Sequence, residues 1–154
     1  MELRYEKVSA DKIEELTTMR IEVLRAANRL PEYADLSEVK EQTDAYYRKA
    51  LKDDTHTAYL VFDGETIIGT GGISYYQVMP TVHNPTGRKA YVMNIYTKPS
   101  YRRMGIASRT LDLLVQDAKS RGITAISLEA TEMGRPLYEA YGFVSMNDEM
   151  ELQR

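Results

Sequence analysis

Apolar residues along this chain change their spacing from one region to the next. In the first third, Ile13, Leu16, Val23, Leu24 and Ala27 recur with the period of a helix, forming a stripe along one face. Ser9 or Asp11 is placed to cap that helix, with Glu14 as a capping-box partner for Asp11. Leu30-Pro31 ends it. A second helix is predicted over Leu36 to Leu51, with Val39, Thr43, Tyr46 and Ala50 on one side. Glu2 to Val8, ahead of both, reads as a short strand. From Thr57 the pattern becomes that of strands. Thr57–Phe62 and Thr66–Tyr76 flank Asp63-Gly64, a strong hairpin signal. Gln77 to Gly87 holds Pro80, Asn84-Pro85 and Gly87 and reads as a long loop. Ala90 to Thr97 returns to a strand.

The clearest helix follows, over Gly105 to Arg121. Ala107, Leu111, Leu114, Val115 and Ala118 line one face, and Arg109, Asp112, Gln116 and Lys119 the other. Gly122 supplies its stop. Ile123 to Ala130 reads as a strand and Arg135 to Tyr141 as a short helix before Gly142. Phe143–Ser145 and Glu149–Leu152 read as a closing hairpin. The order is βααβββαβαββ. The strand-helix-strand unit around the clearest helix is expected to be parallel, and hairpins connect the rest. The expected fold class is α/β, a mixed and mostly antiparallel six- to seven-stranded sheet flanked by helices.

Composition narrows the function. The 154 residues suit a single domain over 1–154 with a real core. Apolar residues make up 43% and charged residues 28%, as in a globular protein, and the net charge of -3 calls for neither nucleic acid nor an anionic membrane. No apolar run approaches the roughly 18 residues of a membrane span, and the charged N-terminus holds no signal-peptide core. The absence of cysteine excludes disulfides and thiolate chemistry and fits a cytoplasmic setting. His56 and His83 lack a spaced partner, so no metal is expected.

Against that acidic background, Lys98, Arg102, Arg103 and Arg109 gather around the start of the clearest helix, with no acid before Asp112. Cations oppose the positive end of a helix dipole, by about 0.3–1 kcal/mol each. They make sense there if an anion arrives from outside and accepts from the unpartnered first-turn N–H groups. Gly105 lets the backbone approach such an anion, and Ala107 does so nearly as well. The segment has no Gly-Lys-Ser/Thr, so it is not a nucleotide P-loop. Gly69-Thr70-Gly71 begins like a dinucleotide fingerprint but continues to Ser74 inside a strand, and reads instead as a bulge or a close backbone approach.

Arg102-x-x-Gly105-x-Ala107, after the strand Tyr91–Thr97 and at the start of a helix, resembles the phosphate motif of the GNAT superfamily of acyl-CoA-dependent N-acetyltransferases. Leu137-Tyr138-Glu139-Ala140-Tyr141-Gly142-Phe143 resembles that family's C-terminal signature. Two departures stand out: Arg103 lies where the family often has glycine, and Thr131 where it often has an asparagine that touches the cofactor.

The resemblance implies acetyl-CoA as donor and an amine as acceptor, with direct attack in a ternary complex. It implies that Arg102, Arg103, Met104, Gly105, Ile106, Ala107 and Ser108 cradle the pyrophosphate. It implies that Ile95, Tyr96 and Thr97 offer backbone groups to the pantetheine arm, with an N–H near Tyr96 facing the developing oxyanion, and that Thr131 lies beside the cofactor. Tyr138 stands at the position of the acid that protonates the departing thiolate. With a free phenol near pKa 10 and a thiol near 8.5, that transfer is uphill by about 2 kcal/mol. Glu129 is the candidate base, acting through water. Arg20, Arg25, Glu32, Tyr33, Asp35 and the Gln77–Gly87 loop are candidates for acceptor contacts, though no motif identifies the acceptor. A non-catalytic acyl-CoA sensor of the same fold is the alternative. Strands near the C-terminus are expected to be exposed and able to pair two chains as a homodimer.

Overall fold

A computed structural model describes residues 2–154. Its elements are β1 (Leu3–Val8), a 3-10 turn (Ala10–Lys12), α1 (Ile13–Ala27), α2 (Ser37–Lys52), β2 (His56–Asp63), β3 (Thr66–Gln77), β4 (Arg88–Thr97), a second 3-10 turn (Pro99–Tyr101), α3 (Ile106–Ser120), β5 (Ile126–Leu128) and α4 (Arg135–Tyr141). One sheet runs in the order β1-β2-β3-β4-β5. Its first three pairings are antiparallel, and β4 with β5 is parallel. The mixed, mostly antiparallel α/β architecture matches the sequence reading, with five strands rather than six or seven.

The missing strands are the closing hairpin. Phe143 packs on the core, but residues 144–154 form no strand. The two expected strands are too short, and the second too rich in acid at Glu149 and Glu151, to stand without a partner. The strand expected over Ile123–Ala130 contracts to Ile126–Leu128, because Ile123 turns into the core. The capping box also fails to form. Lys12 N–H bonds the Ser9 carbonyl at 3.0 Å in the 3-10 turn, and Ser9 Oγ bonds Asp11 Oδ1 at 2.8 Å instead of a helix N–H. On α2 the buried face is Tyr47 and Ala50, while Val39 and Tyr46 lie toward solvent.

Helices cover both faces of the sheet. Ile73, Tyr75, Ala90 and Val92 meet Leu111, Leu114, Val115 and Ala118 of α3. On the other face Ala58, Leu60 and Phe62 meet Ile13, Leu16 and Met19 of α1 and Tyr47 of α2. Each large apolar side chain buried this way contributes about 1.5–3 kcal/mol.

Pairing breaks down at one place. Gly72 pairs with Met93 and Thr70 with Tyr96, so β4 carries an extra residue there. Asn94 sits in this bulge with φ +65. The bulge switches side-chain parity. Ala90 and Val92 face α3, and beyond the bulge Ile95 faces α3 while Tyr96 packs toward α1. Gly71 lies opposite, where a Cβ would come within 2.6 Å of Thr110 Cγ2. The glycine-rich stretch of β3 is therefore a close backbone approach at a bulge.

Candidate active site

The parallel pairing of β4 with β5 ends at Val92–Leu128. Beyond it Met93 to Thr97 keep only β3 as a neighbour, so β4 and β5 splay and leave one backbone edge of β4 open. Ile95, Tyr96 and Thr97 all lie on this stretch. Thr97 Oγ1 is buried without a partner.

At the end of β4 the chain turns through Pro99–Tyr101 into α3. Arg103 has φ +64 and Gly105, the residue before the helix, φ +76. These two left-handed residues make the turn, and Arg103 occupies a conformation that glycine adopts without strain. The first turn of α3 has no capping side chain and no acid. The first bond back to Gly105 comes from Arg109, at 3.0 Å, which leaves the N–H groups of Ile106, Ala107 and Ser108 without intrahelical acceptors. Met104 and Ser108 are exposed beside them. The arrangement fits an anion of phosphate type.

The cations divide their roles. Arg102 turns back, donating Nε–H to the Thr97 carbonyl at 3.1 Å and lying 5.8 Å over the Tyr96 ring. Arg109 pairs with Asp112 at 3.6 Å and Lys98 with Glu22 at 3.9 Å. Arg103 is exposed and forms no ion pair among the described residues.

Tyr138 is half-buried and packs against the same cluster as Ile95 and Leu128, on the α3 side of the cleft. Its ring lies edge-on to Phe143 and against Gly134, where a Cβ would come within 3.0 Å. Burial pushes its phenol above the usual tyrosine value. Thr131 Oγ1 accepts from Gly134 N–H at 3.1 Å and so helps shape the turn into α4, while its own proton stays free. Glu129 is exposed, one residue beyond β5. Its carboxylate acts on Tyr91, whose phenol is raised by burial first and then by that charge. Ile126 and Leu128 face α3 with Tyr138, whereas Tyr91, on which Glu129 acts, alternates away from Ala90 and Val92 to the opposite face.

Of the acceptor candidates, Arg20 reaches the bulge of β4, donating Nη1–H to Asn94 Oδ1 at 3.1 Å, whereas the Gln77–Gly87 loop meets only the start of that strand, through Asn84 Nδ2–H to the Arg88 carbonyl at 3.0 Å. Arg25 holds the α1–α2 connection through the Pro31 and Ala34 carbonyls, and Asp35 Oδ1 accepts from Ser37 N–H. Glu32 and Tyr33 are exposed. Sequence reasoning missed the Arg20–Asn94 link and the buried polar group beside it. His56 Nδ1 there contacts Tyr46 Oη at 2.9 Å and Ser74 Oγ at 3.1 Å. Among the described residues no cluster of His, Cys, Asp and Glu could hold a metal, and no helix is long and apolar enough to cross a membrane.

The splayed strand pair, with an uncapped helix opening at its mouth, makes a cleft with an anion-binding end. The chain belongs to the acetyltransferase (GNAT) family, whose sequence profile matches residues 21–143. It is 29% identical to a thialysine N-epsilon-acetyltransferase of Sus scrofa, over 86% of this chain and 88% of that one. It is 26% identical to the uncharacterized N-acetyltransferase YsnE of Bacillus subtilis (strain 168), over 86% of this chain and 83% of that one. Among solved structures, a predicted acetyltransferase with acetyl-CoA from Clostridium acetobutylicum superimposes with a TM-score of 0.90 at 32% identity, covering 99% of this chain and 96% of that one.

Proposed function

We propose that this protein is an N-acetyltransferase that moves the acetyl group of acetyl-CoA to a primary amine by direct attack. The observation that carries this reading is the uncapped, acid-free first turn of α3 at the end of the splayed edge of β4. The acetyl-CoA in the Clostridium structure and the thialysine acceptor named for the Sus scrofa relative support it. Acetyl-CoA supplies the activated thioester. The free N–H groups of Ile106, Ala107 and Ser108, with Arg102, Arg103, Met104 and Gly105 around them, bind its pyrophosphate. Ile95 and Thr97 hold the pantetheine arm along the open edge of β4, with Thr131 beside it.

An N–H near Tyr96 stabilises negative charge on the reacting carbonyl oxygen. Glu129, on one face, takes the amine proton through water as the C–N bond forms. Tyr138, on the other face, gives its proton to the sulfur as the C–S bond breaks. Burial raises the phenol, which keeps it protonated until the thiolate forms but makes the transfer more uphill than the free values give, so its part in the rate is modest. We further assign the protein to the cytoplasm, as a homodimer.

The test is calorimetric titration with acetyl-CoA of the wild type and of Ser108→Glu. Ser108 is exposed in the first turn of α3, where a carboxylate favours the helix by about 0.3–1 kcal/mol, so lost binding cannot be put down to unfolding. Binding to the wild type that Ser108→Glu abolishes is the expected result. An unaffected variant would remove the phosphate site. Turnover on an amine panel separates enzyme from sensor, with Tyr138→Phe expected to slow it by about 10²- to 10⁴-fold.

A further inference from the structure

Arg20 is half-buried on α1, and among the described residues its one hydrogen bond runs from Nη1 to Asn94 Oδ1 at 3.1 Å. A guanidinium has five N–H donors and keeps its charge in proteins. No carboxylate among the described residues comes within ion-pair distance of it. Arg121 makes the contrast. Its side chain, 19% exposed, is met by Asp54 at 2.9 Å and Asp117 at 3.2 Å.

The groups around Arg20 add no negative charge. Tyr47 of α2 stays a neutral phenol, its pKa pushed up to about 12 by burial. His56 of β2 stays a neutral imidazole, brought down to about 4 by burial and then by the Arg20 charge. Asn94 of β4 is an amide. Buried cations are ordinarily paired, because removing the charge from water is costly without a partner. Here the cation is left without one beside Asn94, the left-handed residue of the bulge, immediately before the stretch of β4 assigned to the thioester. It also lies on the face of Tyr91, on which Glu129 acts.

We propose that Arg20 anchors a carboxylate on the acceptor, so that the substrate is a primary amine of the amino-acid class and not a plain alkylamine or polyamine. The proposal rests on the acetyltransferase reading for the position of the cleft. The planar fork of Arg20 can take a carboxylate through two parallel bonds while Nη1 keeps its contact with Asn94. That contact ties the anchored end of the acceptor to the strand that holds the donor. The anchor also discriminates. A diamine would place a second cation against an unneutralised guanidinium.

The experiment uses matched pairs that differ only by the carboxylate: ornithine with putrescine, lysine with cadaverine, and thialysine with bis(2-aminoethyl) sulfide. Binding to the protein saturated with CoA is measured by calorimetry, and kcat/KM is measured with acetyl-CoA. At least one amino acid is expected to bind more tightly than its diamine. Arg20→Gln is expected to weaken that amino acid by about 10- to 100-fold, the range of a charge-assisted hydrogen bond. The same change should move the diamine less than about threefold, and Arg20→Lys should restore part of the loss. Equal binding within all three pairs overturns the proposal. So does an Arg20→Gln variant that weakens both members of a pair alike, since Arg20 would then only prop the bulge. Because binding is read without turnover, carboxylate-dependent binding with no acetylation would fail the enzyme reading and leave the Arg20 assignment standing.

Discussion

Four donors converge on Asp117 of α3. Tyr75 Oη, Thr57 Oγ1 at 2.8 Å, Lys7 Nζ at 3.0 Å and Arg121 Nε at 3.2 Å tie the helix to β1, β2 and β3. Burial opposes the charge, but the hydrogen bonds from Tyr75, Lys7 and Thr57 outweigh it and hold the carboxyl below the usual aspartate range. A lowered folded pKa gives stability that is present above the unfolded value, near 3.9, and lost as pH falls through the folded one. Asp117→Asn is expected to cost about 3 kcal/mol at pH 7 in urea melts, because Arg121 and Lys7 lose a buried partner. The gap should close as the pH drops below about 4. A gap unchanged between pH 7 and pH 3 would show that the charge is not what stabilises. This network was hidden in the sequence because its members lie as far apart as Lys7 and Asp117. The phosphate motif was legible for the opposite reason, with Arg102 to Ser108 contiguous and their chemistry local. Arg20 could be named only as one candidate among several, since its partner Asn94 is 74 residues away.

Among the elements, α3 was the most legible, because its apolar face and both ends are written within one segment. The bulge in β4 was not legible, since Ala90–Thr97 reads as an unbroken strand and its apolar residues mark no single face; only the structure shows Ala90, Val92 and Ile95 all turned to α3. Only strand pairing shows that Gly71 stands opposite. That glycine sets how closely α3 lies on the sheet. A Cβ there would meet Thr110 Cγ2 at 2.6 Å, Ile95 Cδ1 at 3.0 Å and Leu114 Cδ1 at 3.2 Å. Gly71→Ala is expected to destabilise by about 1–3 kcal/mol through overpacking. Thr110→Ser removes the nearest methyl and keeps the hydroxyl that bonds the Ile106 carbonyl at 2.9 Å. The double variant should therefore recover part of the loss in chemical denaturation. Strictly additive costs would mean that the two positions do not meet as described.

At the scale of the whole molecule, one edge and one tail match each other. β5 is three residues long and among the described residues pairs only with β4, which leaves its outer edge open. The segment after Phe143 sets Val144, Met146, Met150 and Leu152 at even positions, an alternation suited to a strand. Met150 is 98% and Leu152 90% exposed. The closing hairpin expected over Phe143–Ser145 and Glu149–Leu152 does not form, since alternation favours a strand without supplying its partner. An unpaired edge and an unpaired strand-like segment in one chain are self-complementary, and a second copy related by a two-fold axis would satisfy both twice. Light scattering should then give twice the 17.6 kDa chain mass. Met150→Lys with Leu152→Lys should return the monomer, since each apolar side chain withdrawn from an interface costs about 1.5–3 kcal/mol and symmetry doubles the count. A wild type that stays monomeric would leave the tail without this role. A dimer that survives both lysines would move the interface elsewhere. The distinction bears on the site, because β5 carries Leu128 at the point where the cleft opens. Pairing at its outer edge would hold the splay in place, and acetyl-CoA should then bind the dimer more tightly than the lysine variant.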